Sequence, residues 1–443
     1  MKLMAYFEMN SLHTALSWLT GKRLSATLSG LALLMGVVLA PHLQAQTPAA
    51  PQEEPIALTG GTIHTISDGV IEDGTIVFED GVITELGTDV TVPDHAREVD
   101  VSDQHIYPGL VDPYNSMGLY EIGAVDVTVD IDEYDEINPN VQAEVAFNPE
   151  SRHIGVARSN GVLVTVSSPG GGLISGQSAA MMLDGWTRDD MLIKPGTGLL
   201  VNWPSPGDED EYEEELRQLR DAFDDARGYW KARQAMEATE ADRHDADSRW
   251  ETMIPVLEGE RPVVVSANEL RQIQDAITWA EEEDIKLVIL GGDDAPKVAD
   301  HLIRKDIPVI ATSVLSSPSR GWAPYDEDYS LPAQLHEAGV EFAIGGTSSA
   351  PYANRHPYHA GAAAAFGLPM DEALRAVTLS PAEILGFDEC GVLAGFQRSH
   401  PIEYSTQIEQ AYIEGREIDM VDAHREFYET YRQKVEQREQ AQE

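Results

Sequence analysis

The residues that could carry out chemistry gather at the ends of predicted strands. An apolar run from Leu110 indicates a buried strand that emerges at Asp112. Tyr114, Asn115 and Ser116 follow it directly, so a carboxyl, a phenol, an amide and a hydroxyl group share one strand end. Asp112 could act as an acid or a base, although a carboxylate that caps a turn explains it without catalysis.

Further polar residues follow strands later in the chain. Ser266 or Ser116 beside a histidine could form a nucleophilic pair, but nothing in the spacing matches a nucleophile elbow. His356 and His359 favour the start of a packed helix over metal binding. We therefore expect a ligand pocket with no assigned catalytic residue or metal ligand, and its nine candidate residues are Asp112, Tyr114, Asn115, Ser116, Ser266, Asn268, Thr347, His356 and His359.

The elements that must position these residues alternate along residues 105–390. Apolar β-branched runs alternate with helical stretches such as Glu269–Glu283 and Ala295–Lys305, a pattern that predicts parallel strands joined by crossover helices. A length near 280 residues suits a (β/α)8 TIM-like barrel. An eighth strand is not evident, and the Gly-rich stretch Pro169–Gln177 is interpreted as a tight loop in preference to an anion cradle. The seven predicted strands are Ile106–Val111, Gly161–Ser167, Leu199–Val201, Pro262–Ser266, Ile285–Leu290, Ile307–Ala311 and Val340–Ile344.

The remaining segments are simpler. Residues 55–104 contain short strands separated by Asp-Gly turns, the strongest short-range signal for hairpins. Residues 207–250 form an acidic helical insert, interpreted as a solvated helix pair that covers the barrel. Residues 421–443 predict a final helix rich in Arg and Glu.

Composition excludes several classes of partner. The 443 residues carry a formal charge of −46, which argues against nucleic acid and anionic membrane surfaces. Few lysines and many acidic residues favour adaptation to salty or alkaline surroundings, with the acidic insert as an alternative cause. The single cysteine, Cys390, allows no internal disulfide and is interpreted as a packed, inert thiol.

The N-terminus predicts export. Gly21-Lys22-Arg23 precedes an apolar run from Leu24 to Ala40, and Ala45 offers a small residue for cleavage. Residues 1–45 are therefore a predicted signal peptide, with an uncleaved anchor or a later start at Met9 as alternatives. Residues 46–54 are a predicted flexible lead-in, and the expected location is the periplasm or the medium, with no membrane contact beyond the signal segment.

The motif at residues 105–116 resembles the first barrel strand of the amidohydrolase superfamily, in particular an exported branch similar to imidazolonepropionase-like and prolidase-like proteins. Further stretches support the resemblance: Asn138-Pro139-Asn140, Leu183-Asp184-Gly185-Trp186 and Pro381-Ala382-Glu383-Ile384-Leu385-Gly386. The resemblance implies hydrolysis of C–N bonds by metal-activated water. It also implies a small β-sandwich built from residues 55–104 and 391–420, in which about one strand is missing.

The metal ligands that the resemblance implies are absent from their places. The family draws on two histidines after strand 1, a Lys or Glu on strand 4, a His each on strands 5 and 6, and an Asp on strand 8. This sequence has Tyr114 and Ser116, then Ser266, no histidine on strand 6, and Thr347, while Lys194 is assigned to a connecting loop. Hydroxyl groups are neutral, weak donors to zinc, so we expect no cofactor, although the family would use zinc or another divalent metal.

Two functional hypotheses follow from the sequence. In the first, the protein is a metal-free amidohydrolase-fold protein that binds a small molecule or pairs with an intact paralogous subunit or with itself. In the second, it is an active metal-dependent C–N hydrolase, similar to a dipeptidase or an imidazolonepropionase, with ligands around Asp112, His356 and His359. Both hypotheses exclude nucleic acid as a partner.

Overall fold

The structure is a computed structural model that describes residues 47–239, 246–312, 314–388, 396–397, 400–406 and 408–440. The predicted signal peptide and Cys390 lie outside these residues. Within these ranges, no helix combines the length and the apolar character that crossing a bilayer requires.

A small sheet forms first along the chain. Its strands β1 and β2 pair antiparallel, and β2 turns into β3 through Asp80 and Gly81, whose φ angles of 51° and 77° suit a type I′ hairpin turn. The Asp-Gly signal therefore predicted a hairpin that the structure contains. The strands are β1 Ile56–His64, β2 Val70–Glu79, β3 Val82–Gly87, β4 Arg97–Asp100 and β5 His105–Ile106.

Eight strands form a nearly closed barrel sheet, which confirms the TIM-like fold. They follow chain order around the sheet: β6 Leu110–Asn115, β7 Val162–Ser167, β8 Ile174–Met182, β9 Leu192–Asn202, β10 Val263–Ala267, β11 Leu287–Gly291, β12 Val309–Ala311 and β13 Phe342–Ile344. The seam between the first and last strands is bridged by residues 376 and 377, because the Val111 amide donates to Val377 (2.9 Å) and the Ile344 amide donates to Ala376 (2.8 Å).

The strand missed by the sequence analysis is β8. It runs antiparallel to both neighbours, and all nine of its residues are buried. The prediction of a tight loop over Pro169–Gln177 was therefore wrong from Ile174 onward, and the sheet is not wholly parallel. A short connection suffices here because antiparallel neighbours need no crossover helix.

The position of Lys194 also differs from the predicted one. It lies near the start of β9 instead of in a connecting loop, and its Nζ atom donates to the Gly386 carbonyl at 2.7 Å. The start of β9 is the end of the barrel opposite the carboxyl ends of the parallel strands. Lys194 therefore cannot supply a ligand at those carboxyl ends.

Two apolar layers hold the barrel together. The inner layer takes at least one residue from every strand: Val111, Val164, Ala180, Leu200, Val264, Val288, Ile310 and Ala343. Neighbouring positions on the strands, such as Val263 and Ile289, join an outer cluster that packs beneath the helices. This alternation follows from the two-residue period of a strand, and it determines which side chains point into the barrel.

Helices cover the barrel. The acidic insert is mainly one long helix, α4, followed by short helices, in place of the predicted helix pair. In chain order the helices are α1 Ala143–Ala146, α2 Arg152–Arg158, α3 Arg188–Met191, α4 Glu209–Thr239, α5 Ser248–Glu251, α6 Ile254–Leu257, α7 Leu270–Glu283, α8 Ala299–Arg304, α9 Glu327–Ala338, α10 His356–Ala365, α11 Met370–Arg375, α12 Leu379–Leu385 and α13 Ala423–Gln440.

The two chain ends meet the small sheet. Strand β14 (Phe396–Gln397) pairs with β5, and the hairpin of β15 (Tyr412–Ile413) and β16 (Arg416–Glu417) packs on the sheet through Tyr412. Two residues of the predicted lead-in form hydrogen bonds to the body. Gln52 donates to the Phe78 carbonyl at 2.9 Å, and the Ala49 amide donates to Asp184 at 3.2 Å.

Candidate ligand site at the barrel mouth

The carboxyl ends of the parallel strands border a cleft of about 330 Å³. Six of its lining residues carry hydroxyl groups: Tyr114, Ser116, Tyr120, Ser168, Ser348 and Ser349. Asn115 also lines it, and its lining includes no Asp, Glu, His, Lys or Arg. Of the nine predicted pocket residues, the structure brings Tyr114, Asn115 and Ser116 to this cleft, which we call the mouth cleft.

The end of β6 is bonded to the loop after β13. The Ser116 amide donates to the Ser348 carbonyl at 2.9 Å, and the Ser116 hydroxyl accepts from the Ala350 amide at 3.2 Å. The Asn115 side chain donates to the Thr347 carbonyl at 3.1 Å. These polar groups therefore close the barrel seam, and they do not converge on a common point in the cleft.

Asp112 lies on the outer side of its strand. Its neighbour Val111 packs in the inner layer, so alternation directs the Asp112 side chain toward the helices. It is fully buried and accepts hydrogen bonds from Asn115 Nδ2 (3.0 Å) and, at longer range, from the Gly346 amide (3.5 Å). Burial raises the pKa of Asp112 to about 7, because the hydrogen bonds only partly offset the lost hydration.

His356 borders the same space as Asp112. A β-carbon built on Gly346 would lie 3.4 Å from Asp112 Oδ2 and 3.6 Å from His356 Nδ1. Burial, and then the neighbouring His359, lower the pKa of His356 to about 3. Neither ring nitrogen reaches a hydrogen bond of ordinary geometry within the described residues, although the Val111 backbone is near enough to favour protonation slightly. His356 is therefore neutral and lies beneath the helices.

His359 is bound to the loop after β12. Its Nδ1 atom accepts from the Leu315 amide at 3.3 Å, and burial lowers its pKa to about 4. Helix α10 directs both histidines inward to its packed face, so neither of them lines the mouth cleft.

Ser266 and Asn268 lie at another part of the barrel mouth. Ser266 is two residues after Val264 on β10, so its side chain points to the same inner side. Asn268 Oδ1 lies where a β-carbon of Gly291 would be, at the end of β11. Gly291 has a φ of 95°, so a histidine at this strand end would be both strained and blocked. Neither residue lines the mouth cleft.

Two carboxylates after β11 were missed by the sequence analysis. Asp294 is buried, and although burial opposes its ionisation, hydrogen bonds from Arg320 and Lys297 lower its pKa to about 2. Asp293 is half-buried, and burial and then Asp328 raise its pKa to about 6. The sequence pattern that could have indicated them is an Asp-Asp pair directly after the Gly-Gly that ends an apolar strand.

The donor set does not fit the metal that the superfamily uses. The described residues include no group of three or more His, Cys, Asp or Glu side chains arranged to hold a metal ion. Tyr114, Ser116, Ser266 and Thr347 offer neutral oxygens, which bind zinc poorly compared with imidazole or carboxylate. We therefore assign no chemical step to a metal ion.

Comparison with solved structures gives the fold. A Thermotoga maritima amidohydrolase superimposes with a TM-score of 0.74 at 23% sequence identity, covering 82% of this chain and 99% of that one. A prolidase bound to N-methylphosphonate-L-proline gives 0.52 at 15% identity (82% and 99% covered), and a Xaa-Pro dipeptidase with bound methionine gives 0.51 at 13% (82% and 100%). No protein-family model and no curated protein matches the sequence. The resemblance to the amidohydrolase superfamily is confirmed at the level of the fold.

Proposed function

We propose that this protein has the amidohydrolase fold without its metal-dependent hydrolysis, and that it binds a small polar molecule of no net charge in the mouth cleft. The observation that carries the proposal is the bonding of Ser116 and Asn115 to the loop at residues 347–350. Ser116 stands where the resemblance implies a metal ligand, and together with Asn115 it holds the barrel seam instead. Fold alone does not establish activity, because one fold supports many functions.

The lining of the mouth cleft supports a net-neutral ligand. Hydroxyl and amide groups donate and accept hydrogen bonds, while an unpaired ion would lose hydration there without gaining a partner of opposite charge. A zwitterion that keeps both charges near solvent, or a neutral polar molecule, suits such a cleft. Tyr114 also packs against the inner layer of the barrel, so the phenol forms the floor of the cleft.

An active hydrolase with metal ligands around Asp112, His356 and His359 is the second candidate. One observation favours it, since Asp112 and His356 border the same space beside Gly346. Against it, that space lies on the helix side of β6, and His359 Nδ1 already accepts from Leu315. The first candidate therefore has more support.

Metal content and turnover separate the two candidates. The purified protein would be dialysed against zinc, manganese or cobalt, analysed for bound metal, and assayed with Met-Pro and other Xaa-Pro dipeptides. We expect far less than one metal ion per chain and no hydrolysis. Stoichiometric metal together with turnover would favour the active hydrolase.

Binding tests the mouth cleft itself. Calorimetry with L-proline, L-methionine and Met-Pro as probes would be run on the native chain and on Ser348→Trp, whose indole would fill the cleft. Ser205→Trp places the same side chain at an exposed position elsewhere. We expect Ser348→Trp alone to abolish binding, and equal binding by all three proteins would place the ligand outside the cleft.

A further inference from the structure

Helix α13 lies almost free of the body. Its N-terminus is fixed by the buried Asp422, which accepts from the Ser159 hydroxyl (3.1 Å) and from the Arg425 amide (2.7 Å). Beyond this anchor, every side chain that the structure describes from Glu426 to Arg438 is exposed. Most helical stability in proteins comes from packing of an amphipathic face, so a partner surface would stabilise the exposed part of α13.

One side of α13 is apolar. Phe427, Tyr428, Tyr431 and Val435 are 58%, 65%, 62% and 54% exposed. At 3.6 residues per turn these four side chains fall within a sector of about 100°. We call this sector the aromatic stripe.

The charges on α13 are sorted around the stripe. At 100° per residue, Lys434 falls just outside one edge of the stripe, Arg438 falls inside it near the same edge, and Arg432 falls beyond the other edge. Three of the four glutamates, Glu426, Glu429 and Glu436, lie on the opposite side. An aromatic surface bordered by cations fits an acidic surface that also exposes apolar groups.

The same chain presents such a surface at residues 121–146, which we call the acidic flap. The flap has eight acidic residues and no Lys, Arg or His. Its exposed apolar side chains include Ile122 (56%), Val127 (93%), Tyr134 (105%) and Val145 (56%). Exposed apolar groups among polar neighbours mark surfaces that bind other proteins.

We propose that α13 of one copy docks on the acidic flap of a second copy, and that the contact is reciprocal. Two equivalent contacts close a twofold dimer, the commonest symmetric assembly. Burying the aromatic side chains of both helices and the flap surfaces opposite them removes on the order of 2,000 Å² from water, the size of a stable interface.

Other occupants suit the stripe less well. Two α13 helices packed on each other would bring Lys434, Arg438 and Arg432 of both copies together. An anionic bilayer would attract the helix but repel a body of formal charge −46. The acidic flap satisfies both the apolar stripe and its cationic borders.

Charge reversal tests the reciprocal contact. The helix variant Lys434→Glu/Arg438→Glu places acid against the acidic flap, and the flap variant Asp132→Lys/Glu133→Lys places base against the basic helix border. All four positions are exposed, so the fold tolerates both changes. By sedimentation velocity we expect a native dimer and a monomer for each variant alone. An equimolar mixture should restore the dimer, because one contact is native and the other has both charges reversed.

Matched variants keep the test decisive. Arg220→Glu/Lys231→Glu makes the same change in net charge on α4 and should remain dimeric. Tyr428→Ser/Tyr431→Ser should be monomeric, with its helix content checked by circular dichroism. A native monomer at all concentrations, a dimeric flap variant or a monomeric mixture would each overturn the proposal. A vesicle experiment gives a further contrary outcome. If the native chain floats with phosphatidylcholine–phosphatidylglycerol vesicles and the helix variant does not, the stripe binds lipid and the proposal is overturned.

Discussion

Asp184 is a buried carboxylate shared by two arginines. Its oxygens lie 2.7 Å from Arg158 Nη1 and 3.2 Å from Arg416 Nη1, and its side chain is 1% exposed. Arg416 belongs to the β15–β16 hairpin and Arg158 to α2, so this one carboxylate ties the C-terminal hairpin to the barrel. The Ala49 amide also donates to it, which holds the N-terminal lead-in at the same point.

Asp184→Asn should therefore be strongly destabilising. Removing the charge leaves two guanidinium groups largely buried without their partner, a change that costs about 3–5 kcal/mol. Urea denaturation measures the free energy of unfolding directly. Asp189→Asn is the matched control, because Asp189 is 85% exposed beside Arg188 and should change stability by less than about 1 kcal/mol. Equal losses in both variants would show that Asp184 does not join the two elements.

His356→Leu should stabilise the protein increasingly as the pH falls. The folded pKa of about 3 lies below the ordinary 6.5, so between these values the unfolded chain binds a proton that the folded chain does not. The contribution of neutral His356 to the free energy of unfolding is therefore fully present above pH 6.5. Below pH 6.5 it falls by about 1.4 kcal/mol per pH unit. Relative to the native chain, the variant should gain roughly 2 kcal/mol between pH 6.5 and pH 5.

Urea denaturation of His356→Leu at both pH values checks this expectation. A loss of stability at pH 7 that exceeds the small cost of the changed side-chain shape would show that the ring makes an essential hydrogen bond. A constant difference between the two proteins across this pH range would show that His356 titrates normally in the fold.

At the scale of elements, β8 depends on one glycine. Gly176 has a φ of 130°, and a β-carbon there would lie 2.7 Å from the Val141 side chain and 2.8 Å from its carbonyl oxygen. The close approach lets the Gln177 amide donate to the Val141 carbonyl at 2.8 Å. The loop before α1 therefore packs directly on β8 only because Gly176 has no side chain.

Gly176→Ala should destabilise the fold by about 2–4 kcal/mol, since it combines backbone strain with overpacking. Gly228→Ala is the opposite case, because Gly228 lies within α4 with no atom within 4 Å of a built β-carbon. That substitution should stabilise α4 by about 1 kcal/mol. Thermal unfolding followed by circular dichroism compares the two variants with the native chain. Melting temperatures that shift in the same direction for both variants would contradict this account.

The same strand shows what the sequence could and could not predict. The seven predicted strands contain apolar β-branched runs, such as Val263-Val264-Val265, and each corresponds to an observed strand. Strand β8 instead contains Gly, Ser, Gln and Ala, which pack in a crowded sheet without the β-branched signal. Its burial comes from tertiary neighbours such as Val141, and no local pattern encodes them.

The candidate site was predictable only as a set of strand ends. Tyr114, Asn115 and Ser116 line the mouth cleft, because a strand end fixes their place. Asp112 faces the helices because it alternates with Val111, and the irregularity in the β6–β7 register between Asp112 and Asn115 then lets Tyr114, two residues later, pack against the inner layer. A sequence pattern gives the residues of a strand but not such a local shift.

For the whole molecule, charge is the dominant unbalanced quantity. With a formal charge of −46 at pH 7, the carboxylates of the folded protein repel one another. Exposed ion pairs such as Arg217–Glu214 offset only a small part of this repulsion. Raising the salt concentration from about 0.01 M to about 1 M shortens the screening length from about 30 Å to about 3 Å. The repulsion is then nearly removed, while each exposed ion pair loses less than about 1 kcal/mol.

We therefore expect the melting temperature at pH 7 to rise by roughly 5 °C or more across this range of sodium chloride, because a gain of 1 kcal/mol corresponds to about 2 °C in a chain of this size. Differential scanning calorimetry at fixed protein concentration measures the shift. The internal control is the same titration near pH 4.4, the isoelectric point from the sequence, where little net charge remains to be screened. An equal rise at both pH values would assign the effect to salt acting on apolar surface, and a fall at pH 7 would mean that attractive ion pairs outweigh the net repulsion.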